Sequence, residues 1–112
     1  MELQMIDLGN ASKITLQGRL DTPGVDQIET RFTASVVPQA RHALVDLSGV
    51  SFISSMGIRM LIGTARSLNL KKAKMILFGA QPLVKESLDH VSLNGVIPVV
   101  ATETQAVELL NS

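Results

Sequence analysis

Between Ala43 and Asn69 the hydrophobic period of the chain changes, and that change restricts the fold more than any other feature. Ala43-Leu44-Val45-Asp46-Leu47 is a compact run, apolar on both faces of an extended strand, which is the pattern of a central strand covered on both sides. Ser48-Gly49-Val50-Ser51 reads as a loop, and Phe52-Ile53 leads into Ser54-Ser55-Met56-Gly57. Beyond it Ile58, Leu61, Ile62, Ala65 and Leu68 recur at spacings of three, one, three and three, one face of an α-helix over 55–69. Strand, loop and helix in direct succession put two serines where the helix begins.

The remaining chain supplies neighbours for this unit. Leu3, Met5, Ile6 and Leu8 predict a first strand, and Gly9-Asn10 a tight turn. Lys13-Ile14-Thr15-Leu16-Gln17 alternates and reads as a half-exposed second strand, antiparallel to the first. Gly18-Arg19-Leu20-Asp21 follows as a loop. Thr22-Pro23 opens a helix whose inward stripe is Val25, Ile28, Phe32 and Val36, with Pro38 at its end. Lys71-Lys72-Ala73-Lys74 is a solvated connection to a fourth strand, Met75-Ile76-Leu77-Phe78. Pro82 opens a third helix with Val84, Leu88 and Val91 inward. Gly95 precedes a fifth strand, Val96–Val100, placed at a sheet edge because Pro98 removes a backbone donor. Thr102 and Gln105 have capping-box spacing and start a last helix with Ala106, Leu109 and Leu110 inward. Alternation of this kind gives an α/β layer fold with a mixed sheet of about five strands and about four helices, a single domain over 1–112.

Composition narrows function chiefly by exclusion. With 10 basic and 10 acidic residues the formal net charge is zero, so no basic excess argues for nucleic acid or an anionic membrane surface. No apolar run approaches the ~18 residues of a membrane span, and the N-terminus lacks the pattern of a signal peptide. The absence of cysteine excludes disulfides, thiol catalysis and thiolate metal sites. His42 and His90 stand apart from any ligand-like spacing. No phosphate-cradling glycine loop or nucleophile elbow occurs, since the residue two before Ser55 is Ile53. Asp21, Asp46 and Asp89 have no local partner suited to acid–base work. With no Tyr or Trp and three Phe, the chain lacks stacking platforms. An enzyme is not expected.

What remains is the serine pair. A helix start leaves about four backbone N–H groups without an internal acceptor. The commonplace role of Ser54 or Ser55 there is an N-cap. The same free N–H groups and the helix dipole would also favour a phosphate on a serine, with its charge of about −1.5 to −2. Met56, Met60, Gly63 and Ser67 lie beside the core stripe, so the two methionines read either as partly exposed elements of an adaptable binding surface or as filling at the core rim. Arg59 and Arg66 share an exposed line.

Val45 to Ile58, with its Asp46-Leu47-Ser48, Phe52-Ile53 and Ser54-Ser55-Met56-Gly57-Ile58, resembles the signature of STAS domains, and more narrowly that of bacterial anti-sigma-factor antagonists. Gly18-Arg19-Leu20-Asp21 matches the family's Gly-x-Leu-Asp. The resemblance implies a STAS-like layer fold and a cytoplasmic, non-catalytic binding module with no cofactor or metal. Its partner would be an anti-sigma factor that is itself a serine kinase of the histidine-kinase-like ATPase type. Phosphorylation of the family serine breaks that complex, and a PP2C-type phosphatase restores it. By position Ser55 is the phosphoacceptor, with Ser54 as the alternative. Taken with the reading of the residues themselves, Asp21, Ser54, Met56, Gly57, Arg59 and Met60 are the expected partner-binding residues. Two positions depart from the family pattern: Ser54 stands where the family has Asp, and Arg59 where it has Gly. Other members of the family are adaptors in transport or signalling assemblies, so a constitutive, non-phosphorylated adaptor is the other reading.

Overall fold

The computed structural model describes residues 1–91, 93, 96–98, 99–100 and 101–111. Five strands form one sheet in the order β1-β2-β3-β4-β5: β1 Glu2–Asp7, β2 Ala11–Leu20, β3 His42–Ile53, β4 Met75–Phe78 and β5 Val99–Val100. The helices are α1 Thr22–Val36, α2 Ser55–Leu70, α3 Pro82–Asp89 and α4 Glu103–Leu110. β1 and β2 are antiparallel, joined by a turn in which Gly9 takes φ 91°, and every other pair is parallel.

Apolar side chains on the two faces of the sheet explain the layers. Ile14, Leu16, Val45, Leu47 and Leu77 are fully buried in the larger core, together with the inward residues of α1, α2 and α3. Leu44, Ile76 and Phe78 point the other way and pack with Ala106 of α4. The central run is thus covered on both faces, as its composition requires. The α1 stripe Val25, Ile28, Phe32 and Val36 is buried as spaced. Thr102 and Gln105 form both hydrogen bonds of the capping box. β5 is an edge strand, and the Pro98 carbonyl still accepts from the Leu77 amide at 3.0 Å.

Several elements differ from the sequence reading. β2 continues through Gly18–Leu20 and β3 through the stretch 48–51, where loops were expected, and β3 runs on to Ile53. The two strands pair in parallel as far as Leu20 opposite Ile53, with register shifts between Thr15 and Gln17 and between Gly18 and Arg19. These irregularities, with the exposed Ser51 and Phe52, blur the alternation that marks a strand. β5 is only two residues long, and Gly95 lies outside the described residues. Val91 falls beyond α3 and is exposed, as is Leu109, because eight-residue helices present only two turns to the core.

Candidate functional site

β2 and β3 end side by side at the C-terminal end of the parallel strands, and each passes directly into a helix. Their parallel pairing therefore sets two helix starts next to each other. Asp21 caps α1, its carboxylate accepting from the Gly24 amide at 2.9 Å. Ser54 caps α2, its hydroxyl accepting from the Gly57 amide at 3.2 Å.

Ser54 is doubly committed. Its hydroxyl also donates to the Leu20 carbonyl at 3.1 Å, and its amide donates to the same carbonyl at 3.0 Å. An aspartate at this position could cap the helix but could not donate to Leu20, which gives the serine a local reason. Gly57 sits against that carbonyl too: a Cβ there would lie 2.7 Å from the Leu20 oxygen. The backbone that Gly57 admits is therefore this chain's own, and the residue is buried.

Ser55 is the first residue of α2 and is exposed. Its hydroxyl has no hydrogen-bond partner among the described residues, and the Ser55 and Met56 amides likewise meet no acceptor among them. Of the two serines, one is bound into the fold and the other is open to solvent.

Around Ser55 the surface is apolar with cationic points. Met56 is 40% exposed and Phe52 39%. The Arg19 guanidinium lies over the Phe52 ring at 4.4 Å and reaches the Asp21 carboxylate at 3.3 Å. The Gly24 amide holds the Asp21 carboxyl below the usual carboxylate range; desolvation opposes this and Arg19 adds to it. Arg59 is exposed and touches the Met56 sulfur at 4.0 Å. Ser55, Ile58, Arg59, Ile62, Arg66 and Val91 line a shallow hollow of about 340 Å³.

Of the residues singled out from the sequence, Asp21, Ser54, Ser55, Met56 and Arg59 come together at this end of the sheet. Met60 does not: only 4% exposed, it belongs to the core. α1 packs beside α2 as well as the sheet below it, Thr33 and Thr64 meeting at 3.5 Å, so the buried arc of α2 is wider than its aliphatic stripe. Gly57 too serves internal packing. Phe52 and Arg19 join these residues as surface elements; the sequence signal for Phe52 is an aromatic two residues before Ser54. Among the described residues no cluster of acidic or histidine side chains could hold a metal, and no helix is long and apolar enough to cross a membrane.

The comparisons agree with this architecture. BtrV of Bordetella bronchiseptica is 26% identical over 106 residues, covering 95% of this chain and 91% of its own length. The anti-sigma F factor antagonist of Lysinibacillus sphaericus is 29% identical over 96 residues, covering 85% and 81%. The fold matches that of the anti-sigma factor antagonist SpoIIAA in its unphosphorylated form, with a TM-score of 0.79 at 23% identity over 98% of this chain and 96% of that one. It also matches Bacillus SpoIIAA in the phosphorylated form, with a TM-score of 0.71 at 22% identity over 96% and 98%. The STAS domain model matches residues 2–106, and the chain is a member of the STAS domain family.

Proposed function

We propose that the chain is an anti-sigma-factor antagonist: a binding module, without catalytic activity of its own, that sequesters an anti-sigma factor while Ser55 is unmodified and releases it when Ser55 is phosphorylated. The observation that carries this reading is the division of labour at the start of α2. Ser54 is held by Gly57 and Leu20, whereas the Ser55 hydroxyl is exposed and unbonded among the described residues. The Lysinibacillus relative, an anti-sigma F factor antagonist, and the existence of SpoIIAA in two phosphorylation states support it.

In the unmodified state Met56, Phe52 and Arg59 offer an adaptable apolar contact with a cation at its rim. The partner is a serine kinase of the histidine-kinase-like ATPase type. It transfers the γ-phosphoryl group of ATP: a bond forms between Ser55 Oγ and phosphorus, ADP leaves, and the hydroxyl proton passes to a base of the kinase. A charge of about −1.5 to −2 then stands in a contact that had been desolvated, and the complex separates. A PP2C-type phosphatase hydrolyses the ester and resets the surface. The site of action is cytoplasmic.

The test pairs two variants in a pull-down with the cognate anti-sigma factor. Ser55→Ala is expected to bind constitutively and Ser55→Glu weakly. Equal binding by both would remove the switch and leave a constitutive adaptor.

A further inference from the structure

We propose that Arg59 is the intramolecular partner of a phosphate on Ser55, so that modification both adds a charge and withdraws a cation from the docking face. The inference rests on the proposed modification of Ser55 for its biological meaning. Its physical content stands on the placement of Arg59.

Ser55 and Arg59 are separated by four residues on α2, the spacing at which side chains on a helix meet. They line the same hollow, whose remaining walls are Ile58, Ile62, Arg66 and Val91. Arg59 is in no ion pair among the described residues; the thioether of Met56 is its polar contact. Arg19, the other cation near the helix start, is engaged by Asp21 and Phe52. Arg66 lies two turns further from Ser55 than Arg59 does. Glu29 of α1 shares a neighbouring hollow with Arg59, Met56 and Met60. A phosphate on Ser55 competes with it from within the same helix. Guanidinium and phosphate form charge-assisted, often bidentate hydrogen bonds, so the free Arg59 turns toward the phosphate. Before modification the same guanidinium is available to a carboxylate of a partner.

The experiment is a double-mutant cycle in which phosphoserine is installed at position 55 during translation, so no kinase is needed. Thermal midpoints are measured for four chains: unmodified and phosphoserine-55, each with Arg59 or Arg59→Gln. The expected result is coupling of about 2 °C at low ionic strength, with Arg59 raising the midpoint more when the phosphate is present, and its loss at high salt. A parallel cycle with Arg66→Gln is expected to be additive. Additivity in the Arg59 cycle, or coupling to Arg66 instead, would overturn the assignment. Whether the cognate kinase modifies Ser55 is read separately by intact mass. A negative result there removes the proposed switch and leaves the pairing measurable.

Discussion

The starts of α1 and α2 are built on one plan and left in different states. Each follows directly from a parallel strand, each has a side-chain cap bonded to the amide three residues on, and each has glycine at that third position. In both cases the glycine rests on a β2 carbonyl, Gly24 on Arg19 and Gly57 on Leu20. At α1 the plan is closed. The cap is a carboxylate paired with Arg19, and Pro23 removes one amide outright. At α2 the cap is neutral, no proline intervenes, and an exposed hydroxyl stands on the first residue. One start is finished as structure; the other keeps free amide donors and an exposed serine hydroxyl at the surface. The fold secures its geometry with Gly57 and Ser54, which frees Ser55 from any structural duty.

The glycine contacts break both starts most severely. Gly24→Ala would set a Cβ 2.2 Å from the Arg19 oxygen, and Gly57→Ala one 2.7 Å from that of Leu20. Chemical denaturation should show losses of about 3 kcal/mol for Gly24→Ala and about 2 kcal/mol for Gly57→Ala, in the order of the two clashes. Equal and negligible losses would mean that the helices can shift away from β2.

A smaller effect separates the two serines. Ser54→Ala removes the cap and the bond to Leu20, and should destabilise by about 1 kcal/mol. Ser55→Ala should stay within about 0.5 kcal/mol of the parent. Ser54→Asp retains an acceptor for Gly57 but turns a carboxylate on the Leu20 carbonyl, so it should not exceed the parent's stability. The same denaturation curves read all three.

The smallest difference appears in acid. The folded Asp21 carboxyl titrates below its unfolded value of about 3.9, so its contribution is present above that pH and is lost as pH falls through the lower, folded value. The stability gap between the parent and Asp21→Asn should therefore narrow below about pH 4. Ser54 has no charge to lose, and Ser54→Ala should show a gap unaffected over the same range.

How far the sequence disclosed this pair of helix starts depends on the surroundings of each residue. The Val25 to Val36 stripe, the edge placement signalled by Pro98 and the capping box at Thr102 were legible because each is a local rule obeyed locally. The ends of β2 and β3 were not. Their register shifts and exposed Ser51 and Phe52 imitate a loop, and only pairing between distant segments makes them strands. The serine pair was visible as a helix start, yet the roles of its members were not. Ser54 is set apart by the Leu20 carbonyl, which lies 34 residues away in sequence. Of the two readings of Met60 the core one holds and its place among partner-binding residues does not, because α1 packs alongside α2.

The most direct test locates the phosphate. The chain is incubated with the proposed anti-sigma-factor kinase and ATP, and the modified residue is identified by fragmentation mass spectrometry, alongside Ser54→Ala and Ser55→Ala. The expected result is a single phosphate on Ser55, retained in Ser54→Ala and abolished in Ser55→Ala, with loss of kinase binding in the modified chain. A phosphate on Ser54, or release of the partner without any phosphate on Ser55, would contradict it.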